Sequence, residues 1–244
     1  MKKVVFTLMM ILAATVPQSV SAAGFVDKGA SSELVNFGVR LGVTSANISA
    51  DVPGFGNNST FSWRRGFTAG AVVALNFRNY FSIQPGFFFE NRSYNYLLFE
   101  HDASHNMLKN DIGHTRSYSF TVPVMAAFHF NLSSKFRWDV EFGPYFLFGV
   151  GDGKDEVEQI AVSAPENAPS DYVHISGKRN YYGDSNWQHR SFDCGLKIGT
   201  GIRFLGRYVF NIHYQRGFRN VSANHNDNWE MHNKCWTFVL GYDF

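Results

Sequence analysis

The chain has 244 residues, a formal net charge of +2, and 17% aromatic but only 17% charged residues. Soluble domains have about a quarter of their residues charged, so this composition is unusual for one. The nearly balanced charge gives no indication of nucleic-acid binding, and the length alone allows one large domain or two small ones.

The start of the chain has the pattern of a secretory signal peptide. Lys2 and Lys3 precede an apolar run from Val4 to Val16, and small residues follow up to a cleavage point near Ala22. The apolar run is shorter than the roughly 20 residues of a spanning helix, so a membrane anchor is the weaker alternative. We predict an exported chain without a transmembrane helix, with a signal peptide at 1–22, a short periplasmic segment at 23–33 and one folded domain at 34–244.

From residue 34 onward, bulky apolar residues alternate with small or polar ones, which is the period of a β-strand with two different faces. The predicted strands have about 9 to 14 residues, which is near the length of a tilted membrane strand. In chain order the eight segments are LVNFGVRLGVT, FTAGAVVALNF, YFSIQPGFFFENRSY, YSFTVPVMAAFHF, KFRWDVEFGPYFLFGV, FDCGLKIGTGIRF, YVFNIHYQ and WTFVLGYDF.

The connections between these segments alternate in length. Tight turns are predicted near 78–79, 132–134 and 205–206, and long loops at 45–65, 94–116, 151–190 and 218–234. Short turns on one side and long loops on the other are typical of outer-membrane barrels, in which the short turns are periplasmic.

The bulky face contains too many large side chains for the interior of an eight-stranded barrel. We therefore predict that it faces lipid and that the glycine-rich charged face lines the lumen; a soluble barrel with the opposite orientation is the alternative. Because unpaired strand edges have no hydrogen-bond partners in lipid, the sheet must close. The predicted fold is all-β: an eight-stranded antiparallel transmembrane up-and-down β-barrel, or a ten-stranded one if the third long loop holds a further hairpin.

Charged residues on the inward face are nearly balanced in sign. Burying an unpaired charge costs several kcal/mol, so we predict that they pair across the lumen and plug it, the alternative being an ion or proton path. The predicted network consists of Arg40, Glu90, Arg92, Arg137, Asp139, Glu141, Asp193, Lys197 and Arg203, and Lys135 and Asp243 have the same parity.

The order of several segments resembles the PorT-like outer-membrane β-barrel family of Gram-negative bacteria. The resemblance covers roughly Asn36 to Phe244 and implies a small barrel, in a family whose members have diverse or unassigned roles and whose name comes from a component linked to protein secretion and gliding. It rests on FGVRLGVTSANIS, GFTAGAVVALNF, FSIQPGFFF, YSFTVPVMAAFHF, EFGPYFLFGV, DCGLKIGTGIRF, YQRGFRNVS and FVLGYDF.

In the last strand, large apolar residues alternate with small or polar residues up to the final residue. We predict that it pairs with the first strand, so that Phe244 lies at the lipid–water boundary. A strand of this kind resembles the signal that the outer-membrane assembly machinery reads, here Trp236, Phe238, Leu240, Tyr242 and Phe244.

Two groups of residues are candidates for a chemical site. His101, Asp102, His105 and His114 lie in the second long loop, but nothing predicts the helix that would bring two of the histidines to one metal ion. His213 faces the lumen and has no serine two residues later, unlike the His–Ser pair of lipid A hydrolases. We predict no metal, no cofactor and no enzymatic activity.

Two further features concern the extracellular side. Cys194 and Cys235 have opposite parity, so both a disulfide and two free thiols are considered. The third loop contains Tyr172, Tyr181, Tyr182 and Trp187, which form either a binding surface or part of a variable loop.

These observations predict a protein of the cell outer membrane with a structural or interaction role and a plugged lumen. A narrow porin-like channel is the second hypothesis and a lipid-modifying enzyme the third. The expected partners are outer-membrane lipid and lipopolysaccharide, the barrel assembly machinery during biogenesis, and a protein at the extracellular loops, but not nucleic acid.

Overall fold

The computed structural model describes residues 22–52, 60–101, 107–163, 171–185, 188–223 and 229–244. Most of the predicted signal peptide lies outside this part of the chain. The elements are α1 (Ala22–Phe25), β1 (Val35–Asp51), β2 (Thr60–Arg78), β3 (Phe81–Arg92), β4 (Tyr94–His101), β5 (Met107–Asn131), β6 (Phe136–Ser163), β7 (Asp171–Arg179), β8 (Phe192–Phe204), β9 (Tyr208–Gly217) and β10 (Glu230–Asp243). Within these ranges, no helix has the length and hydropathy to cross a membrane.

Eight of the strands form a closed antiparallel ring in the order β1, β2, β3, β5, β6, β8, β9 and β10. The ring closes between β1 and β10, which pair from Gly38↔Asp243 to Asp51↔Glu230. The backbone N–H of Phe244 adds a hydrogen bond to the carbonyl of Phe37 at 2.9 Å. The predicted eight-stranded barrel is therefore confirmed, and its last residue is held by the first strand.

The two remaining strands do not enlarge the ring. β4 continues β3 beyond Ser93 and pairs with the upper parts of β2 and β5. β7 pairs with the end of β6, from Asp155↔Arg179 to Ser163↔Asp171, and forms a projecting hairpin. The third connection thus contains a further hairpin, as the ten-stranded alternative requires. Its added strand β7 pairs only with β6 among the described strands and does not enter the ring.

Several strands are longer than the sequence predicts: β1 has 17 residues and β6 has 28. Much of the predicted loops at 45–65, 94–116 and 151–190 is consequently strand. The prediction fails there because a strand that has left the lipid no longer needs an apolar outer face, so its alternation weakens while its backbone pairing continues.

The two faces of the ring differ as the alternation predicts. Outward side chains are large and exposed, as at Leu41 (65%) and Leu240 (66%), whereas inward Ser82, Ala127 and Tyr145 are completely buried. The sheet is therefore inverted relative to a soluble barrel, and its apolar face lies against lipid.

One predicted inward residue is placed wrongly by the sequence. Lys135 is exposed and lies at the tight turn between β5 and β6, where Leu132 donates its N–H to the carbonyl of Phe136 at 2.9 Å. Strand parity does not extend into a turn, so the side chain of Lys135 projects outside the lumen.

A cationic substitution on the lipid face tests the inverted orientation. Leu41→Arg places a charge near the centre of the lipid-facing part of β1, so the free energy of unfolding from lipid vesicles should fall by about 2–4 kcal/mol. Ser45→Arg on the same face, nearer the boundary, should cost at most about 1 kcal/mol. Urea titration of both variants measures this; equal effects would contradict the membrane placement.

Candidate functional site

The periplasmic end of the lumen holds a network of linked charges. Arg40 Nη1 lies 2.6 Å from Asp243 Oδ1, and Arg203 contacts the other oxygen of this carboxylate. Arg203 Nε is 3.6 Å from Asp139 Oδ2, while Arg137 Nε donates to Asp139 Oδ1 at 3.0 Å. These residues come from β1, β6, β8 and β10, so the network bridges much of the ring.

A histidine connects this network to a neutral polar chain. His129 Nδ1 lies 2.7 Å from Asp139 Oδ1, and its Nε2 lies 2.9 Å from Ser82 Oγ. Ser82 also accepts a hydrogen bond from Gln84 Nε2 at 2.9 Å. The imidazole is therefore held on both sides and bridges β5 to β3 and β6.

The middle of the lumen is organised around Glu141. His213 Nε2 lies 2.7 Å from Glu141 Oε2, and Asn211 donates to Glu141 Oε1 at 2.6 Å. The lumenal position predicted for His213 from strand parity agrees with this geometry. Its contact is a buried carboxylate on β6, which is separated from β9 by β8 alone, rather than a hydroxyl.

Above this level a second carboxylate is held by several groups. Arg92 donates to Glu90 Oε2 through Nε at 3.0 Å and Nη2 at 2.6 Å, and Thr121 donates to the same oxygen at 2.8 Å. The Nζ of Lys197 lies 5.2 Å from the ring centre of Phe88, within the range of a cation–π contact.

A third lumen carboxylate is Asp193. It accepts hydrogen bonds from Tyr145 Oη at 3.1 Å and from Asn233 Nδ2 at 2.8 Å. All nine residues of the predicted network therefore face the lumen, and Asp243 joins them. The neutral partners Ser82, Gln84, Thr121 and Asn211 have inward parity as their only signal in the sequence, and Asn233 lies in a predicted loop without such a signal.

Little space is left between these side chains. A cavity of about 30 Å³ lies among Arg40, Glu141, Lys197, His213 and the aromatic ring of Phe88. A cavity of this size has room for about two water molecules. The side chains around Glu141 therefore leave little free space at this level.

The extracellular mouth is closed by a second, mainly aromatic cluster. Tyr181 stacks on His189 with ring centres 4.2 Å apart, and His189 Nε2 lies 2.9 Å from the Tyr94 hydroxyl. Their buried neighbours are Ile48, Tyr96, Leu98, Val221, Trp229 and Met231. Tyr181 of the third loop is consequently buried in an inner cap. The hypothesis of a binding surface required this side chain to be exposed, so it is wrong for Tyr181.

An ion pair borders this cap. Arg179 Nε donates to Asp155 Oδ2 at 2.5 Å, and the Tyr96 hydroxyl donates to Asp155 Oδ1 at 2.8 Å. Burial raises the pKa of Tyr96 and holds its hydroxyl protonated. Burial, together with the positive charge of Arg179, lowers the pKa of His189 to about 3, so this imidazole is neutral at physiological pH.

The remaining sequence candidates form no chemical site within the described residues. Asp102, His105 and Trp187 lie outside them, as does the side chain of Tyr172, and His114 contacts Glu156 at 2.8 Å. No cluster suited to a metal ion occurs in the described part of the chain. Cys194 and Cys235 are both free thiols, Cys235 being completely buried.

The chain matches a family of known proteins over most of its length. The family model for the outer membrane protein beta-barrel domain matches residues 24–223. A comparison with curated proteins finds no match.

Several solved structures are distantly similar. Ail of Yersinia pestis, in complex with the heparin analogue sucrose octasulfate, is 14% identical over 87% of this chain and 100% of its own, with a TM-score of 0.37. OprG of Pseudomonas aeruginosa is 11% identical over 89% and 99%, with a TM-score of 0.42. Neisserial surface protein A is 9% identical over 87% and 100%, with a TM-score of 0.40. These likenesses are too distant to carry an argument.

The neutral state of His189 predicts an acid-sensitive cap. In the unfolded cap, His189 binds a proton below about pH 6.5. In the folded cap, His189 binds this proton only near pH 3. The contribution of His189 to cap stability is therefore complete above pH 6.5 and falls as the pH decreases toward 3. Hydrogen exchange at the amides of Tyr181 and His189, corrected for intrinsic rates, should show this loss. His189→Gln should remove the pH dependence, and an unchanged acid response in that variant would contradict the assignment.

Proposed function

We propose, from the premise that the chain belongs to the outer membrane protein beta-barrel domain family and lies in the cell outer membrane, that it is a closed barrel with a structural or interaction role. The single observation that supports this proposal is the dense packing of side chains in the lumen. Paired charges occupy its lower and middle levels, and the cap around Tyr94, Tyr181 and His189 lies above them.

The steric argument favours a plug over the narrow channel that is the second hypothesis. A space of about 30 Å³ is too small for a hydrated ion, because it holds about two water molecules and the shell of a hydrated ion contains more. Opening a path would separate ion pairs such as Arg92–Glu90 and Arg40–Asp243, and leaving buried charges unpaired costs about 3–5 kcal/mol each.

We propose that the barrel has no enzymatic activity. The strongest catalytic candidate, His213, is held by Glu141 inside the lumen and has Gln215 as the next residue on the same face. A nucleophile and its base must lie within hydrogen-bond reach, and among the described residues His213 forms no hydrogen bond to a hydroxyl group. A PorT-like assignment within the family is likewise a proposal, supported by the order of the segments quoted above.

The projecting hairpin of β6 and β7 supports the interaction role. Its paired part extends from Asp155 to Ser163 in β6, which at about 3.4 Å per residue corresponds to roughly 30 Å. The outer edge of β7 has no strand partner among the described residues, and such an edge offers backbone donors and acceptors to another chain. We propose that a protein partner contacts this hairpin.

Two partners are proposed for the wall itself. The apolar outer face contacts outer-membrane lipid, including lipopolysaccharide. The alternated C-terminal strand, with Trp236, Phe238, Leu240, Tyr242 and Phe244 outward, is proposed to be read by the barrel assembly machinery. The exposure of Leu240 and Phe244 on that face supports both ideas.

Conductance separates the plug from the channel. If the side chains plug the lumen as proposed, the purified barrel in planar bilayers should give no discrete current steps. Phe88→Ala combined with Met125→Ala and Tyr145→Ala removes bulk without removing charge and should introduce small steps. Current steps from the wild-type barrel, matching those of the variant, would overturn the closed-lumen proposal.

Removal of the hairpin separates an interaction role from a purely structural one. Replacing residues 156–178 by Asn-Gly should leave the ring folded, since the β6 part of this range pairs only with β7 and the upper part of β5. The replacement should abolish crosslinks to protein partners in intact cells. The matched control replaces Ser133 and Ser134 by Asn-Gly at a periplasmic turn and should keep the crosslinks. Crosslinks that persist without the hairpin would contradict the hairpin as the contact surface, whereas a wild-type barrel that gives no protein crosslinks would have a structural role only.

A further inference from the structure

The lipid-facing runs of two neighbouring strands end in cationic residues. On β9, the outward residues are Tyr208, Phe210, Ile212 and Tyr214, and the next outward residue is Arg216. On β10 the corresponding series, read from the periplasmic end, is Tyr242, Leu240, Phe238 and Trp236, and it is followed by Lys234. The change from apolar to cationic thus occurs at the same level on both strands.

Arg216 and Lys234 are direct cross-strand partners. Like charges placed directly opposite each other destabilise an antiparallel pair. Their other neighbours in the register, Asn47 on β1 and Leu196 on β8, carry no charge. Among the salt bridges of the described residues, none includes Arg216 or Lys234. The repulsion between them is therefore not relieved by a carboxylate of the described chain.

The same arrangement occurs a second time on the ring. Arg116 on β5 is the register partner of Lys154 on β6, and both side chains are exposed and point outward. They lie just beyond the last lipid-facing residues of these strands, Tyr118 and Val150, which are themselves register partners. Neither cation takes part in a salt bridge within the described ranges. Two separate pairs of strands therefore share one unfavourable feature at one kind of position.

Depth in the membrane explains where these pairs lie. From Tyr208 to Arg216, and from Tyr242 to Lys234, there are about nine residues, close to the 9–11 that a tilted strand needs to cross the hydrocarbon. The rings of Tyr214 and Trp236 pack with centres 4.9 Å apart directly below the cations, as expected for aromatic residues at a membrane interface. Because the short turns are periplasmic, the cationic pairs lie at the headgroup level of the outer leaflet.

We propose that Arg216 and Lys234 bind a phosphate group of a phosphorylated glycolipid of the outer leaflet, and that Arg116 and Lys154 form a second such site. A guanidinium holds two phosphate oxygens in a planar fork, and an ammonium adds a point charge. An anion between the two cations converts their repulsion into attraction to a shared partner. This inference depends on the membrane placement and not on the closed lumen, so either can fail without the other.

The test measures lipid A binding to the folded mature chain in zwitterionic detergent by native mass spectrometry. Arg216→Gln with Lys234→Gln should lose one bound lipid A and weaken binding at that site by about tenfold or more, since each basic residue near a membrane surface contributes about a fivefold effect. Arg116→Gln with Lys154→Gln should remove the second lipid. The matched control, Arg78→Gln with Lys135→Gln, removes two exposed cations at the periplasmic turns and should bind like the wild type.

Further arms identify the chemistry of the occupant. Dephosphorylated lipid A should bind at least tenfold more weakly, and exchanging the cations, Arg216→Lys with Lys234→Arg, should preserve binding. Inorganic phosphate at the same concentration as lipid A should not displace it; if it does, the glycolipid is not the occupant. Equal losses in the Gln variants and the periplasmic control, or equal binding of both lipids, would overturn the proposal. The migration of unheated and heated samples in gels shows that each variant is folded.

Discussion

Closure of the ring by β1 and β10 is the constraint on which the rest of this molecule depends. Hydrocarbon offers no hydrogen-bond partner to a backbone N–H or carbonyl, so every strand of the wall must be paired on both edges. Here the first strand meets the last along an unbroken register, and even the N–H of Phe244 is bonded to Phe37. Leu41 and Leu240, which are register partners in this pairing, point to the lipid together.

Closure with eight strands also fixes what the lumen can contain. The interior is narrow, so a long side chain on one strand requires small residues beside it. Arg40 is an example: a Cβ on Gly38 or Gly241 would collide with its side chain. The glycines therefore create the space in which Arg40 reaches Asp243, and the lumen is filled by alternation of size as well as of charge.

The sequence predicts the wall well because lipid acts on every strand in the same way. A residue such as Leu41 needs only to be apolar, and parity then assigns its neighbour Arg40 to the lumen. The pairing inside the lumen is different, because Arg40 and Asp243 are 203 residues apart and meet only through the ring register. Parity shows which residues face inward, but not which of them touch.

Prediction is weakest where the strands leave the membrane. There the outer face is wet, and alternation of polarity stops marking the strand although the backbone ladder continues. Lys135 was misplaced at a turn for the related reason that parity ends with the strand. Tyr181 lies in a loop by sequence, yet it is buried against His189, a contact fixed by tertiary packing and invisible in local composition.

The long extracellular extension of the wall has a further consequence. Above the lipid, the inner face of the strands is no longer limited to small and charged residues, and it carries the aromatic cap, while the outer face can hold charge. The cap around Tyr94 and the cations Arg216 and Lys234 thus both depend on this extension of the strands above the lipid. At the periplasmic end tight turns follow the lipid boundary directly, so the strands do not extend far enough to carry such a cap, and the exposed cations Arg78 and Lys135 lie at the turns. The proposed protein and glycolipid contacts are consequently both placed on the extracellular side.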